Sequence, residues 1–260
     1  MRQKRILIPL PSYGFDPTEA AVPWKILSDN NFEIVFLSPQ GHKAAADTII
    51  LTGKRLGIWK TILAARQDAV DAYYEMEKSE SFRNPLKYTD VQERNFDAIF
   101  LPGGHDKPVK EYLESEVLQQ LIVDFFQAQK PVGAVCHGVV LAARSIDPTT
   151  GNSVLHNYKT TSLLKSQELT AYNLTRLWLK DYYLTYPGLT VEDEVKSVLA
   201  DKNNFLKGPT PLSRDSEKHL KRGFIVRDRN YLSARWPGDI YNLSLAFVKL
   251  IRDSSDTLPR

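Results

Sequence analysis

Short continuous apolar runs alternate along the first half of the chain with segments of helical periodicity. Ile6–Leu10, Phe32–Leu37 and Phe96–Gly104 are such apolar runs, and Pro, Asn, Ser or Gly bounds each of them. This pattern is typical of parallel strands that are buried on both faces. The run PVGAV, which ends directly before Cys136, predicts a fourth strand, and His137–Arg144 predicts the helix that follows it.

The segments between these runs have the periodicity of amphipathic helices. In DPTEAAVPWKILSDN, Asp16 is placed to cap a helix whose first residue is Pro17, and Pro23 predicts a break or a second start. Lys54–Phe82 is rich in Ala and charged residues and predicts one or two helices beside the sheet. Val109–Gln129 predicts one amphipathic helix.

The second half of the chain is less regular. NYKTTSLL is strand-like, SQELTAYNLTRLWLKDYY predicts a helix capped by Ser166, and VEDEVKSVLADKNNF predicts another helix. GFIVRDRNYLSARW predicts two strands joined by a turn at Asp228–Asn230. GDIYNLSLAFVKLIRD predicts a closing amphipathic helix.

This order of elements predicts an α/β fold of the flavodoxin-like type. The sheet is expected to be doubly wound and mostly parallel, sandwiched between helices, with right-handed crossovers. No internal repeat, low-complexity segment or clear linker divides the sequence. We therefore predict a single domain over residues 1–260, with helical insertions at about 52–90 and 166–205 that cap the sheet.

Composition narrows the class of protein. The 260 residues are 42% hydrophobic and 25% charged, as in soluble globular proteins, and the net charge of +3 is too small to indicate a nucleic-acid partner. One cysteine excludes an internal disulfide and fits a reducing compartment. The first apolar run is too short for a signal peptide, and no run approaches the ~20 residues of a membrane span. These features predict a cytoplasmic protein without a membrane partner.

The single cysteine, Cys136, lies where a strand turns sharply into a helix. This nucleophile-elbow geometry directs a side chain toward the carboxyl end of the sheet, and the helix N-terminus stabilises a thiolate there. Free cysteine is also among the most buried residue types, and Gly133, Ala134 and Gly138 fit plain strand–helix packing. From this stretch alone, a nucleophile and a packing residue are both open interpretations.

Two other stretches bear on this choice. The sequences FDAIFLPGGHD, KPVGAVCHGVVLAA and EIVFLSPQGHKAAAD together resemble the PfpI-like family, a branch of the class I glutamine amidotransferase-like superfamily. That family includes intracellular proteases, holding chaperones and cofactor-free glyoxalases, and this chain is most similar to the chaperone and glyoxalase III branch. The resemblance covers roughly the first 150 residues and continues more loosely into FIVRDRNYLSARWPGD.

The resemblance implies roles for four catalytic residues. Cys136 matches the family nucleophile, and Glu19 matches the acidic residue that touches the thiol and handles protons there. His137 is expected to accept a proton from the thiol if a third group orients it. The branch carries an acid some thirty residues later, which points to Glu168, whereas Asp147 falls in an Asp-Pro turn and reads as a solvated loop.

The resemblance also implies residues that contact the substrate. Gly103 and Gly104 are expected to form an oxyanion hole with the backbone N–H of His137, and His105 is a pocket candidate. The stretch SARWPGD departs from the family pattern, so Trp236 and Arg235 are expected to alter the pocket. Arg235 either recognises a carboxylate or pairs with Asp239. His105 and His42 lack metal-ligand spacing, and we predict no catalytic metal and no cofactor.

The function implied is that of a cofactor-independent cysteine enzyme acting on small reactive carbonyls. The glyoxalase III-like reaction converts a 2-oxoaldehyde to a 2-hydroxy acid, and an amidase or peptidase using the same thiol is the near alternative. A stress-response holding chaperone or redox sensor is the second alternative. A glutaminase is disfavoured because the H-x-E pair that it needs is absent. Family members are often dimers, so a homodimer is expected.

Overall fold

The computed structural model describes residues 2–254. In this part of the chain, seven strands form one sheet and two pairs of short strands lie outside it. In chain order the strands are β1 (Arg5–Pro9), β2 (Tyr13–Phe15), β3 (Glu33–Ser38), β4 (Ala45–Ala46), β5 (Leu86–Lys87), β6 (Ala98–Leu101), β7 (Val132–Val135), β8 (Ile146–Asp147), β9 (Asn152–Ser153), β10 (Ile225–Asp228) and β11 (Tyr231–Ala234).

The helices vary in length from single turns to four turns. They are α1 (Pro17–Asp29), α2 (Thr48–Thr52), α3 (Lys60–Leu63), α4 (Gln67–Met76), α5 (Glu80–Arg83), α6 (Lys110–Leu113), α7 (Glu116–Gln127), α8 (Gly138–Arg144), α9 (Lys165–Leu179), α10 (Val191–Val198) and α11 (Ile240–Asp253). Single 3₁₀ turns lie at Gly57–Trp59, Tyr88–Asp90, Glu93–Asn95, Lys107–Val109, Lys202–Asn204, Leu220–Arg222 and Pro237–Asp239.

The main sheet has the order β10-β11-β7-β6-β1-β3-β5. Neighbouring strands are parallel except β10 and β11, which form an antiparallel hairpin at one edge. One hydrophobic core lies on the face covered by α1, α4 and α11, and the other lies on the face covered by α7, α8 and α10. This is the predicted doubly wound α/β sheet between two helical layers. Because β1, β6 and β7 are parallel neighbours, their carboxyl ends meet at one edge of the sheet.

Several predicted elements are confirmed. The side chain of Asp16 caps α1 by accepting hydrogen bonds from the backbone N–H groups of Thr18 and Glu19. The hairpin at Asp228–Asn230 and the closing helix α11 also form as predicted. The predicted break at Pro23 is wrong, since α1 continues through that residue.

Other elements differ from the prediction for local reasons. Lys54–Phe82 contains three short α-helices, α3, α4 and α5, because the backbone is extended between them, with ψ of 162° at Ala64 and Arg66 and 145° at Ser79. Val109–Gln129 divides where the side chain of Ser115 caps a new helix, α7. NYKTTSLL forms no strand, and its only ladder contact is an isolated bridge between Thr160 and Phe205. The helix predicted with a Ser166 cap begins at Lys165.

Within residues 2–254, no helix combines the length and the apolar character that crossing a membrane requires.

Candidate active site

Cys136 lies at the corner between β7 and α8. Its φ of 55° is left-handed, a conformation that costs a residue other than glycine of order 1 kcal/mol or more. The N–H of Cys136 donates a hydrogen bond of 3.2 Å to the carbonyl oxygen of Ala234, which fixes the turn to the neighbouring strand. After the turn, Gly138 packs so closely that a Cβ there would lie 2.1 Å from the carbonyl oxygen of Leu101. Only glycine therefore fits at position 138, and the elbow holds the sulfur in one orientation.

His137 presents an unprotonated nitrogen to the thiol. Nε2 lies 3.0 Å from the hydroxyl of Thr185, and that hydroxyl donates its only proton to the carbonyl oxygen of His105 over 2.7 Å. Thr185 must therefore accept from His137 Nε2–H, which leaves Nδ1 of the neutral ring as an acceptor. Nδ1 lies 3.4 Å from Cys136 Sγ. The hydrogen-bond network fixes the tautomer that a general base needs.

Glu19 approaches the thiol from α1 and is fully buried. Its Oε2 accepts a hydrogen bond of 2.9 Å from the backbone N–H of Gly103, and Oε1 has no partner in the protein. Burial raises the pKa of Glu19 well above its usual range, and the nearby carboxyl of Asp16 raises it further. Both effects favour the neutral, protonated form of the carboxyl. In that form Oε1 is free to donate a hydrogen bond to the neighbouring thiol of Cys136.

Electrostatics at the sulfur favour the neutral thiol in the resting protein. Burial raises the pKa of Cys136 well above its usual value, with the carboxyls of Glu19 and Asp16 as further causes. The backbone N–H of His137 opposes this rise. Burial lowers the pKa of His137 to about 3, with smaller effects of His105 and Arg144. A thiolate at Cys136 would therefore require transfer of the thiol proton to a neighbouring group.

The predicted pairing of Glu168 with His137 does not form. Thr185 occupies Nε2 of the imidazole, while Oε2 of Glu168 accepts a 3.0 Å hydrogen bond from the N–H of Val191 at the start of α10. Glu168 nevertheless lines the same cavity as Cys136. Burial raises its pKa to about 7. A hydroxyl thus replaces the expected acid.

One of the backbone N–H groups predicted to form the oxyanion hole is already hydrogen-bonded within the protein. The N–H of Gly103 donates to Glu19 and so does not point into open space, whereas Gly104 lines the cavity. His105 also lines the cavity, stacked on Tyr183 with ring centroids 4.5 Å apart. Burial lowers the pKa of His105 to about 4, so its ring is neutral at physiological pH.

Of the two residues that were expected to shape the pocket, Trp236 contacts the cavity and Arg235 does not. Arg235 is 1% exposed and forms two hydrogen bonds of 2.8 and 2.9 Å with the carboxylate of Asp239. It also donates to the carbonyl oxygen of Pro209. Of the two roles predicted for Arg235, the structure has the internal ion pair, and the expectation that Arg235 contacts substrate is wrong.

The cavity above the thiol has a volume of about 430 Å³. Its floor is formed by Cys136, Glu19, Asp16 and Gly104, and α9 contributes Glu168 to the wall. The other wall residues are mostly apolar: Ile50, Ile62, Leu63, Leu163, Ala171, Leu174, Pro211, Leu212 and Pro237. Within residues 2–254, no group of three or more His, Cys, Asp or Glu side chains is arranged to hold a metal ion.

Sequence reasoning missed Thr185, Tyr183 and Arg214. Thr185 and Tyr183 follow α9, and Arg214 lies in an irregular segment near the cavity. Thr185 reaches His137 across 48 positions of sequence, and no motif marks it. The DYYLTY run in which two of these residues lie is unusually rich in tyrosine, which was the one available signal.

Comparison with known protein families gives a match over most of the chain. The family described as ThiJ/PfpI family-like matches residues 10–209, most of the chain. The chain belongs to this family. The PfpI-type resemblance expected from the sequence motifs is thereby confirmed.

Individual relatives are more distant. An uncharacterized protein of Schizosaccharomyces pombe is 31% identical over 126 residues, which are 48% of this chain and 46% of the relative. A deglycase of Thermococcus kodakarensis is 26% identical over 167 residues, 64% of this chain and 69% of the deglycase. The chain spans less than half the length of this S. pombe relative and of a second one.

Solved structures resemble the whole fold. Glyoxalase III from Candida albicans has a TM-score of 0.63 and 20% identity, over 98% of both chains. The Rapid Encystment Protein of Francisella tularensis has a TM-score of 0.67 and 14% identity, over 96% of this chain and 99% of that one. At these identities the likeness confirms the fold alone.

Proposed function

We propose that the protein is a cofactor-independent cysteine enzyme that converts 2-oxoaldehydes to 2-hydroxy acids, as a glyoxalase III does. The observation that carries the proposal is that the thiol of Cys136 has a proton acceptor and a carboxyl group beside it. The unprotonated Nδ1 of His137 lies 3.4 Å from Cys136 Sγ, and the buried carboxyl of Glu19 lines the cavity together with Cys136. The relative from T. kodakarensis is named a deglycase and the similar structure from C. albicans a glyoxalase III, which supports the same class of chemistry.

The first half of the reaction uses all three groups. Cys136 Sγ attacks the aldehyde carbon while its proton passes to His137 Nδ1. The aldehyde oxygen takes the proton of Glu19, and the product is a hemithioacetal. Glu19 is then a carboxylate beside the carbon that still carries the former aldehyde hydrogen. Its burial makes this carboxylate a stronger base than one in water.

The second half moves hydrogen and adds water. Glu19 takes the hydrogen from the first carbon as a proton and returns it to the second carbon, while the hydroxyl proton moves to the neighbouring oxygen. The first carbon is oxidised and the second reduced by the same electron pair, so no external oxidant is needed. Water attacks the resulting thioester, its proton passes to Glu19, and the imidazolium of His137 returns a proton to the departing sulfur.

The alternatives fit the site less well. Amide hydrolysis depends on backbone donors for the oxyanion, and the N–H of Gly103 is already bound to Glu19. Oxidation sensing favours an accessible thiolate, whereas Cys136 is 6% exposed and its pKa is raised. A holding chaperone does not need the contacts among Cys136, His137 and Glu19.

The test is turnover of phenylglyoxal in D₂O, followed by NMR of the product. Wild-type protein is expected to form mandelate with deuterium at the second carbon, because a proton held by Glu19 exchanges with solvent. Cys136→Ala is expected to show no turnover, and Glu19→Gln to lose at least about a hundredfold, as for a general acid–base group. Turnover by Cys136→Ala equal to the wild type would refute the proposal. Mandelate without deuterium would remove Glu19 from the hydrogen transfer.

A further inference from the structure

The cavity is larger and more apolar than the proposed reaction alone requires. A volume of about 430 Å³ lies within the range that holds drug-sized ligands, and the smallest 2-oxoaldehydes fill only part of it. Ile50, Leu63 and Leu174 form its apolar wall. At the rim, Ile62 and Leu212 are 55% and 89% exposed, so apolar surface stays open to solvent around the entrance.

Arg214 places a positive charge in this apolar wall. One of its terminal nitrogens donates to the carbonyl oxygen of Ile62 over 2.7 Å, and its guanidinium lies 5.5 Å from the ring centre of Trp236. Among residues 2–254, no carboxylate comes within ion-pair distance of this guanidinium, although Asp16 and Asp68 act on it from farther away. Arg66, also nearby, is paired with Asp68. A guanidinium held without a carboxylate partner has donors left for a ligand.

Two further buried polar atoms on the same cavity lack partners. The hydroxyl of Tyr183 and Nε1 of Trp236 make no hydrogen bond within the protein. The hydroxyl can donate or accept, and the indole N–H only donates. Buried polar atoms without partners are rare, and here they lie on the wall that also carries Arg214. The largely apolar cavity thus has hydrogen-bond donors from Tyr183 and Trp236 on the wall that carries the guanidinium of Arg214.

From this arrangement we infer a substrate class, an inference that rests on the function proposed above. The substrate is a 2-oxoaldehyde with a bulky apolar body and a carboxylate remote from the reacting carbonyl. The carbonyl lies at Cys136, the apolar body lies against Leu63 and Leu174, and the carboxylate binds Arg214. The guanidinium matches a carboxylate in shape and charge, and the apolar surroundings strengthen the attraction.

Initial rates with matched substrates test the inference. Para-carboxyphenylglyoxal carries the proposed carboxylate, and its methyl ester is a neutral analogue of similar shape. Wild-type kcat/KM is expected to favour the acid by about tenfold, the factor that corresponds to one charge-assisted hydrogen bond. Arg214→Gln is expected to abolish the preference by lowering kcat/KM for the acid to the value for the ester. Arg214→Lys is expected to keep part of it, and Arg222→Gln, an exposed arginine outside the cavity, to keep all of it.

Binding separates this inference from the proposed reaction. Para-acetylbenzoate and its methyl ester carry ketones that are not substrates, and calorimetry measures their affinities without turnover. Tighter binding of the acid to wild type, lost in Arg214→Gln, supports a carboxylate site at Arg214; if every glyoxal assay fails at the same time, the proposed function is rejected and the 2-oxoaldehyde part of the inference with it. Equal affinity or equal kcat/KM for acid and ester overturns the inference and leaves the function standing. An equal loss for all substrates in Arg214→Gln also overturns it, since Arg214 would then serve the fold.

Discussion

Glu168→Gln is expected to stabilise the protein at alkaline pH and to leave it almost unchanged at acidic pH. Glu168 is 3% exposed, and its burial raises the pKa from the ordinary 4.5 to about 7. Between these two values the folded protein holds a proton that the unfolded chain has released. Stability therefore falls as pH rises through this window, and the full cost is present above about pH 7.

The size of the effect follows from the shift. A rise from 4.5 to about 7 corresponds to about 3 kcal/mol of unfolding free energy. Glutamine stays neutral at every pH, and its amide oxygen can still accept from the N–H of Val191, as Oε2 of Glu168 does. The variant should therefore recover about 2 to 3 kcal/mol at pH 8 and less than about 1 kcal/mol at pH 5.

Urea unfolding at both pH values measures these differences. Asp215, whose pKa burial also raises to about 7, titrates in the same window, so the comparison uses the variant minus the wild type at each pH. Glu217→Gln, at an exposed position, is the matched control and should shift stability equally at both pH values. If Glu168→Gln also shifts stability equally at pH 5 and pH 8, the buried-carboxyl reasoning is refuted.

Three further substitutions test other contacts. Thr185→Val removes the hydroxyl that orients the imidazole and should lower kcat about tenfold with little change in KM. Gly138→Ala places a methyl group 2.1 Å from the carbonyl oxygen of Leu101 and should reduce the unfolding free energy by about 3 kcal/mol. Arg235→Gln leaves the buried carboxylate of Asp239 without its cation and should cost about 3 to 5 kcal/mol in urea unfolding.

Each of these has a control within the chain. Thr185→Ser keeps the hydroxyl and should keep kcat, so an equal loss in both variants would contradict the orienting role. Gly151→Ala meets no atom within 4 Å but has a φ of 69°, and only about 1 kcal/mol is expected there. Arg229→Gln breaks an exposed pair with Asp228 and should cost less than about 1 kcal/mol, so a cost equal to that of Arg235→Gln would argue against burial as the cause.

The parts of the fold that sequence predicts well are those that local chemistry determines. The cap at Asp16 and the hairpin turn near Arg229 depend on neighbouring residues, and both form as expected. The one or two helices expected in Lys54–Phe82 are instead three short ones, because the backbone is extended at Ala64, Arg66 and Ser79. NYKTTSLL is different, because its apolar residues pack into the cores without joining a ladder.

The residues of the candidate site also fall into those that the sequence predicts and those that depend on the path of the chain. Cys136 and His137 are adjacent in sequence, and it was the resemblance to the PfpI-like family, not the position of Glu19 in the first helix, that placed this residue beside the thiol. Thr185 contacts the imidazole only through the path of the chain after α9, which no periodicity reveals. Glu168 had the spacing of a triad acid, but the N–H groups at the start of α10 hold its carboxyl elsewhere.

The hydroxyl at Thr185 belongs to a segment that the sheet does not hold in place. The thiol and the imidazole ring are fixed by β7 and α8, whereas the group that sets the imidazole proton arrives from the loop between α9 and α10. Undocking of that loop would leave the sheet, the thiol and the elbow intact and would free the ring to change tautomer. If Cys136 and His137 act as proposed, a local opening of this loop, far smaller than unfolding, would be enough to abolish activity.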